Sequence, residues 1–157
     1  MKKTLLLVLL VMTFSGALAQ IPGLRLQNQT KIDKLQVVPD QQRGEILKGR
    51  IDQLQANIVS GLPRTLGGFL STQVYIDIAG EKSGYYSSNQ AASMLESFFA
   101  QRKLQSCSFS SFNFRAPAPY ATGRLNYLYK GAKESAQIYV MWKQVDSAWV
   151  ITQFNIF

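Results

Sequence analysis

The stretch Gln73-Val74-Tyr75-Ile76-Asp77-Ile78-Ala79-Gly80 alternates apolar and polar side chains and carries one carboxylate near its centre. Val74, Ile76 and Ile78 share one parity, Tyr75 and Asp77 the other, the period-two pattern of a strand with one face in a core. Asp77 is therefore either a catalytic group held in a pocket or the polar side of a half-buried strand. The elements around it decide what kind of fold this strand serves.

Upstream, Leu47, Ile51, Leu54 and Ile58 recur at i, i+4, i+7 and i+11, which predicts a helix from about Glu45 to Ser60 with Gly61 placed to end it. Pro63 suits the first turn of a second, shorter helix carrying Leu62, Leu66, Phe69 and Leu70. Gly67 and Gly68 each weaken that helix by roughly 1 kcal/mol relative to alanine. Downstream, a turn at Gly80–Gly84 leads to "YYSSNQAASMLESFFAQRK", where Ser87 and Gln90 have capping-box spacing. Ala91, Leu95, Phe98 and Arg102 lie on one stripe, widened by Met94 and Phe99, so this helix faces a core.

The remainder alternates. Cys107 and Phe109 keep one parity, Phe112 and Phe114 the other, a phase flip of the kind a β-bulge produces. After the breaker Ala116–Pro119 come three strands, Thr122–Lys130, Ala136–Val145 and Trp149–Phe157, joined by turns short enough for antiparallel hairpins. The order α-α-β-α-β-β-β-β is α+β.

The first twenty residues, "MKKTLLLVLLVMTFSGALAQ", set the compartment. Lys2 and Lys3 precede an apolar run from Leu5, and Ala17-Leu18-Ala19 supplies the small residues of a cleavage site. We expect residues 1–19 to be a secretory signal peptide cut between Ala19 and Gln20. The apolar run is well short of the roughly 20 residues a membrane-spanning helix needs, so no stable membrane insertion is expected. The product is periplasmic or extracellular. Residues 20–43, rich in glutamine and broken by Pro22 and Pro39, read as a flexible polar lead-in with a short element at Ile32–Val38, and 44–157 as a single domain.

Composition removes several chemistries. Histidine is absent and Cys107 is the single cysteine, so no internal disulfide, no Ser-His or Cys-His nucleophile pair and no cofactor is expected. The 9 acidic residues are dispersed without metal-ligand spacing, so no metal site is expected. Without Lys2 and Lys3 the net charge is +6, spread along the chain with no basic run longer than Arg102-Lys103, which argues against nucleic acid.

The order of elements resembles the nuclear-transport-factor-2-like (cystatin-like) superfamily, in which helices fill the concave side of a curved, mainly antiparallel sheet. More narrowly, the chain resembles a family of small exported bacterial domains of unknown function with that fold. The likeness runs over about Glu45–Phe157 and is carried by "YYSSNQAASMLESFF" with Tyr86, Gln90, Ala91, Leu95, Phe98 and Phe99. "YATGRLNY" with Tyr120 and Gly123, and the closing "WVITQFNI", carry the rest. The superfamily's ketosteroid isomerases place a general-base aspartate on the strand after the first two helices, and "YIDIAG" can be laid onto that position. The resemblance thus offers an isomerase or lyase based on Asp77, with Tyr127 and Tyr129 as oxyanion stabilisers. The parity of Asp77, opposite the aliphatic face, and the missing second acid favour the polar-face reading.

Aromatics crowd the last three strands. The leading expectation is a non-catalytic domain that binds a small apolar ligand or a protein partner through an aromatic-rich cone. Tyr127, Tyr129 and Trp142 are its contact residues, and Arg124 would orient an anionic group. Ala136, Ile138, Val140 and Trp142 form one face of their strand, and Tyr139, Met141 and Val145 make the other half apolar. Strands apolar on both sides need cover on both, which points to a homodimer through the outer sheet face. A structural role in a cell-envelope assembly is the third reading.

Overall fold

Local signals start and stop the two helices. The computed structural model describes residues 39–61, 63–79 and 83–157, which form one compact unit. The expected signal peptide, most of the lead-in with its element at Ile32–Val38, and Leu62 lie outside those residues. Helix α1 (Asp40–Val59) begins one turn earlier than the apolar stripe required. Pro39 takes the N-cap position, its carbonyl accepting from the Arg43 N–H at 2.9 Å. Asp40 in the first turn favours the positive helix end and pairs with Arg43 at 3.0 Å. Leu47, Ile51, Leu54 and Ile58 are the buried stripe, as their spacing predicts. Gly61 ends the helix with a φ of 68°, a left-handed position that suits glycine.

The second helix is of the tighter 3-10 type, Pro63–Phe69, and Leu70 has already joined the next strand. Gly67 and Gly68 are poor α-helix formers, and a short 3-10 segment needs fewer residues in helical register. Leu66 and Phe69 still face the core. Strand β1 (Leu70–Ile78) buries Val74, Ile76 and Ile78 and turns Tyr75 and Asp77 to the other face. Strand β2 (Gly84–Ser87), which the sequence reading treats as turn and helix approach, pairs antiparallel with β1. Four residues are too few to display a period. Helix α2 (Ser88–Ala100) then opens on the expected capping box: the Ser87 hydroxyl accepts from the Gln90 N–H, and the Gln90 side chain accepts from the Ser87 N–H.

Strands β3 (Lys103–Asn113), β4 (Tyr120–Tyr129), β5 (Ala132–Val145) and β6 (Ala148–Ile156) complete a six-stranded sheet of order β2-β1-β6-β5-β4-β3. The β1–β6 pairing is parallel and the others antiparallel. Lys130 and Gly131, both at positive φ, make the two-residue turn between β4 and β5. The parity flip on β3 is a register shift between Phe109 and Ser111, so Phe109 opposes Gly123 and Phe112 opposes Ala121. Both phenylalanines thereby stay on one face. That inner face, with Trp142, Phe154, Ile138 and Leu125 fully buried, packs under the helices as one core.

Candidate functional site

The sheet bends where its ladders lose register. Between β1 and β6, Leu70 opposes Ile151 and the next pair is Tyr75 with Gln153, so Ser71–Val74 face Thr152 alone. Between β6 and β5, Gln153 opposes Met141 and Ile151 opposes Trp142, so Thr152 is again the extra residue. Such interruptions kink strands and leave polar groups without ladder partners. On its other side β5 keeps register, the Trp142 backbone N–H donating to the Pro119 carbonyl at 2.8 Å one rung beyond the Tyr120–Met141 pair, and Asn113 Oδ1 accepts from the Ala116 N–H at 3.1 Å. The proline-rich loop is thereby fixed as a wall against β5.

The result is a groove of about 760 Å³ on the outer face of the sheet. Pro117 and Ala118 form one bank. Tyr75 and Tyr85 meet edge to face at the other, ring centres 5.2 Å apart, and Tyr85 is 70% exposed. The floor carries the hydroxyls of Ser71, Thr72 and Thr152 and the amides of Gln73 and Gln153. Among the described residues none of these five side chains has a hydrogen-bond partner.

Asp77 sits on this outer face, half-buried, opposite Asn155, which opposes Tyr139 in turn. Asn155 is 5% exposed and among the described residues its Oδ1 has no hydrogen-bond partner. Burial pushes the Tyr139 phenol up, and the neighbouring Tyr120 phenol, stacked on it at 5.7 Å, pushes the same way. Tyr127 and Tyr129 belong to the inner parity of β4. The sheet therefore stands between Asp77 and the two tyrosines, and a general base facing an oxyanion stabiliser is not assembled.

The structure likewise separates the four expected contact residues. Tyr127 and Tyr129 come together around Arg102, whose guanidinium lies 3.7 Å above Phe98, 4.8 Å from the Tyr129 ring and 5.7 Å from the Tyr127 ring. Arg102 also donates to the Phe98 carbonyl at 2.9 Å. These rings serve to hold the end of α2. Tyr127 also borders a smaller hollow of about 390 Å³, beside Gln105, Asn126 and Lys133. Trp142 is fully buried, with the Arg50 guanidinium of α1 6.0 Å from its ring, and it borders the floor of the groove. Arg50 itself clamps α1 to the sheet, donating to the carbonyls of Gly68 and Trp149, and burial lowers its pKa. Arg124 is exposed on the outer face, opposite Gln137.

Cys107 is buried and its thiol is pushed up to about 12 by desolvation, so it is a core residue without thiolate character at neutral pH. Among the described residues no three His, Cys, Asp or Glu side chains gather as a metal site, and no helix is long and apolar enough to cross a membrane.

Residues 51–156 match the family model described as a domain of unknown function, DUF4783. The chain belongs to the DUF4783 family. A crystal structure of a DUF4783 protein from Bacteroides uniformis superposes with a TM-score of 0.58 at 19% identity, over 66% of this chain and 91% of that one. A second, from Bacteroides fragilis, gives 0.57 at 17% identity, over 66% and 92%. A designed NTF2-like protein gives 0.61 at 16% identity, over 73% and 98%. These likenesses establish an NTF2-like fold for this DUF4783 domain. No curated protein matches the chain.

Neither the groove nor its register shifts were among the expected features. Tyr75 and the "APAP" loop were visible in the sequence, but nothing local marks Thr152 as the extra residue between two strands.

Proposed function

We propose that this DUF4783 domain is exported and acts as a non-catalytic recognition module whose binding surface is the outer face of its sheet. One observation carries the reading: the inner cone is filled by its own side chains, whereas the outer face holds an open groove with unpartnered polar groups and exposed rings. A volume of about 760 Å³ falls within the roughly 300–1,000 Å³ typical of ligand sites. The proposed contact residues are accordingly those of the groove, which Trp142 borders, in place of Tyr127 and Tyr129.

Fragment screening by NMR on the chain from Gln20 to Phe157 tests the site without presuming a ligand. Small neutral fragments are expected to shift the amides of Thr72, Tyr75, Thr152 and Gln153. Fragments that gather instead at Asp77, or at Tyr127 and Tyr129, would refute the assignment. Export rests on the leader, and N-terminal sequencing of protein secreted by a bacterial host is expected to begin at Gln20; an intact Met1 start would contradict it.

A further inference from the structure

We infer that the outer-face groove is a site for a neutral oligosaccharide, an inference that rests on the outer-face reading above and names its ligand. The two faces of a pyranose ring present C–H groups that stack on aromatic rings, while its rim presents hydroxyls that require donors and acceptors in one plane. The groove offers that division. Tyr75 and Tyr85 supply ring surface at one bank, and Ser71, Thr72, Thr152, Gln73 and Gln153 supply hydroxyls and amides on the floor. Gln and Thr side chains both donate and accept, so they match hydroxyls of either sense.

Register extends the argument beyond the groove. Tyr85, Tyr75, Gln153, Met141 and Tyr120 are successive partners across β2, β1, β6, β5 and β4. At an inter-strand spacing of about 4.8 Å this row spans about 19 Å, with rings at both ends and an amide and a thioether between. It favours an elongated ligand lying across the strands, with several ring-sized units in line.

Other occupants fit less well. Among the described lining residues Lys143 is the one charged side chain, too little for a polyanion. An extended peptide gains most of its affinity from pairing with a free strand edge, and the groove touches the edge strand β2 through Tyr85 alone, the rest of its floor lying over β1, β6 and β5. A flat apolar partner would bury the hydroxyls and amides of the floor without hydrogen bonds.

The test titrates cellohexaose, maltohexaose, xylohexaose and chitotetraose separately into the isotope-labelled chain from Gln20 to Phe157, to about 5 mM, several times a millimolar Kd. At least one sugar is expected to give saturable shifts at Thr72, Tyr75, Thr152 and Gln153. The Tyr75→Ala/Tyr85→Ala double variant should weaken that binding by about tenfold or more, whereas Lys48→Ala, on the exposed side of α1, leaves it unchanged. If the double variant does not fold, Tyr85→Ala alone serves, since its ring is mostly in solvent. Silence from all four sugars, or binding that ignores both tyrosines, overturns the inference. Silence combined with fragments that still gather in the groove leaves the outer-face reading standing; fragments that avoid the groove remove both.

Discussion

Gly123→Ala is expected to destabilise the folded chain by about 3 kcal/mol or more, a large effect for a single methyl group. Backbone conformation is not the cause, because Gly123 is absent from the positive-φ positions. The cause is space. A Cβ at this position would collide with the Ser108 carbonyl oxygen and lie 2.8 Å from Phe109 Cα and 2.9 Å from the Ser108 carbonyl carbon. All three are backbone atoms of β3, held by pairs on both sides of the Phe109–Gly123 partnership. They can retreat only by opening the β3–β4 ladder next to its bulge, which would also displace Cys107 and Phe109 from the core. Gly49→Ala is the control. It sits in α1 with nothing within 4 Å of the new methyl, so removing a helical glycine there should be neutral or stabilising by about 0.5–1 kcal/mol. Urea denaturation of the two variants side by side decides the matter; Gly123→Ala within about 0.5 kcal/mol of the parent would disprove the close approach.

The second large effect is at Trp142. Truncation to alanine should cost about 3–5 kcal/mol, since the side chain is fully buried in the core beneath α1. Trp142→Phe should cost clearly less. The indole Nε1 is buried without a hydrogen-bond partner among the described residues, so phenylalanine forfeits volume but no hydrogen bond, and it removes a desolvated donor. Equal losses in Trp142→Ala and Trp142→Phe would mean that the N–H does engage a partner. The floor of the groove should loosen in the alanine variant, because Trp142 is the inward neighbour of Met141 at the β5–β6 register shift. Broadened NMR signals at Thr152 and Gln153 would report that coupling.

Legibility followed distance along the chain. The α1 stripe, the Gly61 stop, the Ser87–Gln90 box and the inward aliphatics of β1 all depend on residues within a few positions of one another, and all four appear as read. The phase flip on β3 was also legible, because parity is a local property even when its consequence is a cross-strand one. Strand β2 escaped because it is short, and the second helix took 3-10 form because two glycines compete with the α-helical pitch. The burial of the Trp142 ring was legible only in part. Parity places it on the inner face, but only the packing of α1 and the Arg50 clamp closes that face over it.

From its sequence alone this protein is an α+β chain with a hydrophobic run near Met1, an inward-facing β1 and no histidine, because composition, periodicity and capping act through near neighbours. Which face stays open, and where a groove forms on it, was decided by tertiary pairing. Ser71 and Thr152 come from segments about eighty residues apart, and their meeting depends on how β1 and β5 each register against β6. That register is set by the summed burial of six strands and two helices, which no single stretch encodes.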